Sequence, residues 1–91
     1  MTARKFPGSE LIETGIEDLQ KGAETIPALL VSVGAFRLRR LGLPVPERTL
    51  SSPEIHLYLK LQESDPDSAH SRYNALIRTL TSFERAAECA S

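Results

Sequence analysis

The chain has 91 residues, the size of one domain, with 41% hydrophobic and 25% charged residues, as is ordinary for a globular protein. Its net charge of −1 gives no overall field that attracts nucleic acid. The single cysteine, Cys89, excludes an intramolecular disulfide, and residues 1–10 lack the apolar core of a secretory signal. We therefore expect a cytoplasmic protein.

Residues 1–8 are expected to form a flexible arm that precedes a single helical domain over residues 9–91. Ser9 is a candidate N-cap for a first helix that ends near Lys21. Gly15 lies inside this helix, where glycine costs up to about 1 kcal/mol relative to alanine and often marks close backbone packing. The helix carries one apolar stripe of Leu11, Ile12, Ile16 and Leu19.

The most apolar stretch, residues 26–41, has several signals of one continuous helix of about four turns. Thr25 can cap its start, and Pro27 falls in the first turn, where a missing N–H costs little. Gly42 suits the left-handed position after the end, and Leu43 can close that cap. Because the helix is apolar nearly all round, we expect it to be buried on more than one side.

The short turn at Gly22 predicts an αα-hairpin between the first two helices. A DNA-binding helix-turn-helix has similar spacing, but residues 26–30 offer almost no hydrogen-bonding groups for base edges. Residues 42–52 form a long connection that Pro44 and Pro46 keep extended. Connections of this length often contact a partner or cross the bundle.

Residues 53–63 allow two interpretations. Apolar and polar residues alternate strictly over 55–62, which is typical of a strand that would pair with its copy across a dimer. However, Ser52 as cap, Pro53 in the first turn and the early carboxylate of Glu54 are typical of a helix start. We favour a helix.

A long C-terminal helix is expected over residues 66–88, with Asp65 as N-cap and Pro66 in the first turn. Its apolar residues follow a heptad pattern, which can pack within one chain or against a helical partner. The pattern consists of Ala69, Tyr73, Leu76, Leu80, Phe83 and Ala87, widened by Ile77.

These elements predict an all-α fold, a compact four-helix bundle-like domain built on an αα-hairpin with a long C-terminal helix. The expected core includes Leu30, Val33, Leu76 and Leu80. The helices carry more apolar surface than a four-helix monomer covers, so we expect a homodimer. Its interface is predicted at Leu57, Tyr58 and Leu61, together with the 42–52 connection and part of the last helix.

Two groups of polar residues are candidate sites. His70, Asn74 and Arg78 share one face of the last helix and can bind an anion, although such residues are often only solvated. The second group is a candidate basic patch, although we expect its members to pair with the acidic first helix, in the same subunit or in another: Arg37, Arg39, Arg40 and Arg48.

No residues have the spacing of a zinc site, a phosphate-binding loop or a catalytic nucleophile, so no metal or cofactor is expected. We treat Cys89 as a passive thiol. The uncharged part of the central stretch is too short to cross a bilayer.

The expected function is protein–protein interaction by a small cytoplasmic, bacterial accessory or regulatory protein that works as a homodimer, with no catalytic activity evident. The alternative is a nucleic-acid-linked regulator, such as an antitoxin or repressor partner, that uses Arg37, Arg39 and Arg40. A third interpretation is a small nuclease or hydrolase around His70.

Overall fold

The computed structural model describes Phe6 and residues 8–90. This part of the chain is all-helical, as predicted, and its buried apolar side chains form one core. None of its helices is long and apolar enough to cross a membrane. The five helices are α1 (Ser9–Lys21), α2 (Ile26–Val33), α3 (Ala35–Arg40), α4 (Pro53–Ser64) and α5 (Ala69–Ala90).

The predicted arm is described only at its end, because residues 1–5 and 7 lie outside the described part. The Phe6 ring packs edge-on against Phe83 of α5, with centroids 5.9 Å apart. Gly8 (φ 79°) occupies the N-cap position of α1 and lies against Thr79. Ser9 is therefore the first residue of the helix, and the predicted side-chain cap at Ser9 is absent.

One hydroxyl group links the two helices of the α1–α2 hairpin. Gly22 ends α1 with a φ of 80°, and the Ala23 N–H donates to the Asp18 carbonyl at 2.8 Å. The Thr25 hydroxyl accepts from the Ala28 N–H at 3.2 Å, as predicted for an N-cap, and donates to the Asp18 carboxylate at 2.6 Å. One side chain thus caps α2 and binds α1.

Helices α1 and α2 are in close contact at Gly15. A Cβ at this position would overlap the carbonyl oxygen of Pro27 and Cγ2 of Val31. The expected close packing at this glycine is therefore confirmed. The absent side chain lets the backbones of α1 and α2 touch, which offsets the helix-propensity cost of glycine.

The predicted continuous helix over 26–41 is wrong at one residue, because Gly34 separates α2 from α3. Gly34 has a φ of −101° and a ψ of 17°, and its N–H reaches the Leu30 carbonyl at a long 3.4 Å. A Cβ here would lie 2.7 Å from Oε2 of Glu84 and 3.0 Å from Cδ1 of Leu80. The close approach of α5 therefore coincides with the break.

The predicted C-terminal cap is confirmed at the end of α3. Gly42 has a φ of 94°, and its N–H donates to the Arg39 carbonyl at 3.0 Å. The Leu43 N–H donates to the Leu38 carbonyl at 3.1 Å. These two bonds form a Schellman motif, which satisfies carbonyls that the helix leaves without partners.

The 42–52 connection crosses the bundle, which is one of the two predicted outcomes. Its Val45 side chain is buried in the core. The Arg39 guanidinium donates to the carbonyls of Val45, Pro46 and Glu47. Farther along, the Leu50 N–H donates to the buried Ser32 hydroxyl at 3.2 Å. The Gln20 side chain of α1 also donates to the Pro44 carbonyl at 3.5 Å. Three side chains thus hold the connection, although it contains no regular secondary structure.

The stretch after this connection is a helix, α4, as favoured from the sequence. The predicted Ser52 cap is only partly correct. Ser52 holds the N-cap position, but its φ is 43° and its hydroxyl makes no cap hydrogen bond. Its carbonyl accepts from the His56 N–H at 3.1 Å. The start of α4 is therefore fixed by Pro53 and main-chain bonding rather than by a serine cap.

Helix α5 begins at Ala69, later than predicted, because residues 66–68 form a turn. The Asp65 carboxylate accepts from the Ser68 hydroxyl at 2.7 Å, and this bond lowers the pKa of Asp65. The helical bonds then start with the Arg72 N–H donating to the Ser68 carbonyl at 2.9 Å. Ser68, not Asp65, stands at the start of the helix.

The predicted apolar seam of α5 packs within the chain. Its buried members are Ala69, Leu80 and Phe83, and its partly buried members are Tyr73, Leu76, Ile77 and Ala87. Of the four predicted core residues, Leu30 and Leu80 are buried, whereas Val33 and Leu76 are only partly buried. The seam therefore serves the fold of one chain.

We expect Gly15→Ala to lower the free energy of unfolding by about 1–3 kcal/mol, because the new methyl group overpacks the contact with α2. The loss should occur although alanine favours a helix by about 1 kcal/mol. Urea unfolding followed by circular dichroism measures it. Thr14→Ala, exposed on the same helix, is the control and should stay within about 0.5 kcal/mol. Equal free energies of unfolding for Gly15→Ala and the parent protein would contradict the close approach of α1 and α2.

A second pair of variants tests the orientation of α4. Leu57→Ala should lower the free energy of unfolding by about 2–5 kcal/mol, because it leaves a cavity in the core. Leu59→Ala, two residues away and half-exposed, should change it by about 0.5 kcal/mol or less. The same urea unfolding experiment measures both losses. A larger loss of unfolding free energy for Leu59→Ala than for Leu57→Ala would show that the buried and exposed faces of α4 are assigned the wrong way round.

Candidate functional site

An apolar surface lies on the outer side of α4 and is named here the α4 face. Its centre is Ile55 and Leu59, whose exposed fractions are 62% and 49%. The rings of Tyr58 and Tyr73 meet edge-on beside them, with centroids 5.8 Å apart. These four side chains and Glu54 line a shallow groove of about 320 Å³. Together they form a continuous apolar surface at the junction of α4 and α5.

The structure assigns the predicted interface residues differently. Leu57 and Leu61 have no exposed surface and belong to the core of a single chain, so neither is available to a partner. Tyr58 is half-buried at the edge of the α4 face. Residues four apart share a helix face, so the two buried leucines point inward while Ile55 and Leu59 point outward. The i,i+4 spacing shows that Ile55 and Leu59 share a face, but Leu57 and Leu61 have the same spacing, so the spacing alone does not show which pair is exposed.

The predicted anion-binding residues His70, Asn74 and Arg78 are all exposed on one side of α5. Within the described part of the chain, no other helix contributes a hydrogen bond or an ion pair to their side chains. Chemistry on a bound anion needs a further group that converges on the same point. The anion site at these three residues therefore stays a prediction, and no bonding group from another helix supports it.

The four predicted basic-patch residues differ in the groups that they contact. Arg37 donates to Oε2 of Glu88 from Nε at 3.3 Å and from Nη2 at 3.2 Å. Arg39 holds the 42–52 connection, as described above, and the Arg40 guanidinium lies over the Phe36 ring, 5.8 Å from its centroid. Arg48 is exposed in the connection. The carboxylates that contact Arg37 within the chain are on α5 and not on the acidic α1.

Glu84 is a buried carboxylate beside the break at Gly34, with 6% of its surface exposed. Its nearest cation is Arg37, whose Nη1 lies 3.9 Å from Oε1. Burial raises the pKa of Glu84 from its ordinary value, while the Arg37 charge opposes that rise and the Glu88 charge adds to it. Nothing in the sequence distinguishes Glu84 from the exposed glutamates, because its burial depends on the contact between α5 and Gly34.

Among the described residues, no three histidine, cysteine or acidic side chains are grouped as metal ligands. The nearest approach of a histidine to a carboxylate is the 3.9 Å between Nδ1 of His56 and Oε2 of Glu24. Cys89 is exposed near the end of α5.

No family model, curated protein or solved structure matches this chain. The geometry of its surfaces is therefore the basis on which a function is proposed.

Because the folded chain keeps the Glu84 proton to higher pH than the unfolded chain, stability should fall as pH rises above the ordinary pKa of 4.5. We expect Glu84→Gln to remove this part of the pH dependence. Urea unfolding over a series of pH values measures it. Glu13→Gln, exposed on α1, is the matched control and should keep the slope. Parallel pH profiles for Glu84→Gln and the parent protein would contradict the burial of this charge.

Proposed function

We propose that the chain acts through protein–protein interaction, as a small accessory or regulatory protein that associates with a second copy of itself. The observation that carries this proposal is the exposure of Ile55 and Leu59, side by side on α4, at 62% and 49%. Large apolar side chains that lie together on a surface often mark an interface with another protein. The expected cytoplasmic location and bacterial source remain predictions.

The arrangement of the α4 face supports a second copy as the partner. Ile55 and Leu59 are one helical turn apart on the same side of α4. If two copies pack α4 against α4 in antiparallel orientation, Ile55 of each copy lies near Leu59 of the other. A two-fold axis makes such a surface complementary to itself. The rings of Tyr58 and Tyr73 then cover the edge of the contact.

The size of the α4 face supports a dimer that dissociates on dilution. A standard interface buries about 800 Å² on each partner. The apolar centre here consists of two aliphatic side chains and two half-buried rings, so the surrounding polar rim must supply most of that area. We therefore expect a dissociation constant in the micromolar range, which corresponds to about −8 kcal/mol.

The alternative of a nucleic-acid-linked regulator has less support. Its phosphate contacts require positive charges along a continuous surface, whereas Arg37 is paired with Glu88 and Arg39 holds the connection. The interpretation as a nuclease or hydrolase rests on His70, to which no other helix of the described part contributes a hydrogen bond or an ion pair.

Sedimentation velocity from about 0.1 µM to about 100 µM, a range that brackets a dissociation constant of about 1 µM, tests the dimer. The mass should rise from 10.0 kDa toward twice that value. Leu59→Glu places a charge at the centre of the face and should keep the protein monomeric without changing its helical circular dichroism.

Thr14→Glu adds the same charge at an exposed position of α1, away from the α4 face, and should still allow the dimer. A parent mass that stays at 10.0 kDa over the whole concentration range refutes the proposal.

A further inference from the structure

A second surface, formed by α3 and the end of α5, shares no residue with the α4 face. Its most prominent side chain is Phe36, whose exposed fraction of 73% exceeds that of Ile55 and Leu59. Phe36 lines a groove of about 470 Å³, named here the α3 groove, which is within the range of roughly 300–1,000 Å³ for ligand clefts. The other lining residues are Arg37, Arg40, Leu41 and Glu88.

The outward direction of Phe36 follows from the packing of α3. Ala35 and Leu38 are buried on the inner side of this short helix. Phe36 lies between them in sequence and therefore points away from the core. An aromatic ring that contributes little to the fold is a common anchor for another protein, because aromatic residues are enriched at interface centres.

The charges of the groove are not balanced. Arg37 is bound by Glu88 at 3.2 Å. Arg40 has no carboxylate partner in the described part of the chain, and its guanidinium lies 5.8 Å from the centroid of the Phe36 ring. Arg37 also lies 3.9 Å from Glu84, so its charge is compensated, and the uncompensated positive charge of the lining is that of Arg40, beside the exposed ring.

We propose that the α3 groove binds a segment of a partner protein in which a carboxylate stands next to an aromatic or aliphatic side chain. The carboxylate pairs with Arg40, and the apolar group packs on Phe36 and Leu41. Charge complementarity selects the acidic residue, and the apolar lining selects its neighbour. Glu88 in the same groove repels a continuous run of phosphates, which favours a protein segment over nucleic acid. The proposal does not depend on the homodimer.

The test uses the full chain labelled with ¹⁵N and three blocked dipeptides: aspartate–phenylalanine, asparagine–phenylalanine and aspartate–alanine. The first dipeptide should shift the amide signals of Phe36, Arg40 and Leu41. Asparagine–phenylalanine should bind about two- to fivefold more weakly, which is the range of an exposed ion pair. Aspartate–alanine should also bind more weakly, because it lacks the ring.

Variants separate the two contributions. Arg40→Gln should abolish the preference for the aspartate peptide over the asparagine peptide. Phe36→Ala should weaken the binding of both peptides that contain phenylalanine. Both side chains are exposed, so the thermal melt should stay unchanged. Arg48→Gln, an exposed arginine outside the groove, should keep the preference.

Equal shifts for the aspartate and asparagine peptides overturn the proposal, and so do shifts that lie away from the groove. A single-stranded oligonucleotide that shifts the same amides more strongly than the peptide also overturns it, in favour of nucleic acid.

Discussion

Helix α2 has no side that faces water, and this constraint organises the fold. Its five consecutive residues from Ala28 to Ser32 are all buried, and the four steps of about 100° between them complete a full turn around the helix axis. Every direction around α2 must therefore be covered by another part of the chain. Helix α1 covers it across Gly15, α4 and α5 pack on other sides, and the 42–52 connection closes over Ser32.

Local signals in the sequence predict that the helices exist, and they predict the caps at Thr25 and Gly42 correctly. The predicted serine side-chain caps at Ser9 and Ser52 are absent. The break at Gly34 was missed because it coincides with the approach of Glu84, which is distant in sequence. The alternation in α4 presents two pairs of apolar residues on opposite sides, and only the position of α2 decides which pair is buried.

The candidate sites were less predictable than the helices for a related reason. Three arginines of the predicted patch lie within four positions of sequence, yet they bind a carboxylate, three carbonyls and an aromatic ring. Those partners come from α5, from the connection and from α3 itself. Sequence spacing shows which charges are close along the chain, but neutralisation depends on groups that only folding brings together. Arg40 differs from the other two because, in the described part of the chain, it contacts the Phe36 ring and not a carboxylate or a carbonyl.

The hydrogen bonds that hold the 42–52 connection affect how readily a protease can cleave it. Extended segments without secondary structure are usually the first to be cut, because they fit an active site with little rearrangement. Here Arg39 holds three successive carbonyls and Ser32 holds the Leu50 amide. A protease needs those same main-chain groups to bind its substrate. Cleavage within the connection therefore requires these bonds to open first, and its rate reports local opening of the bundle rather than the exposure of the connection.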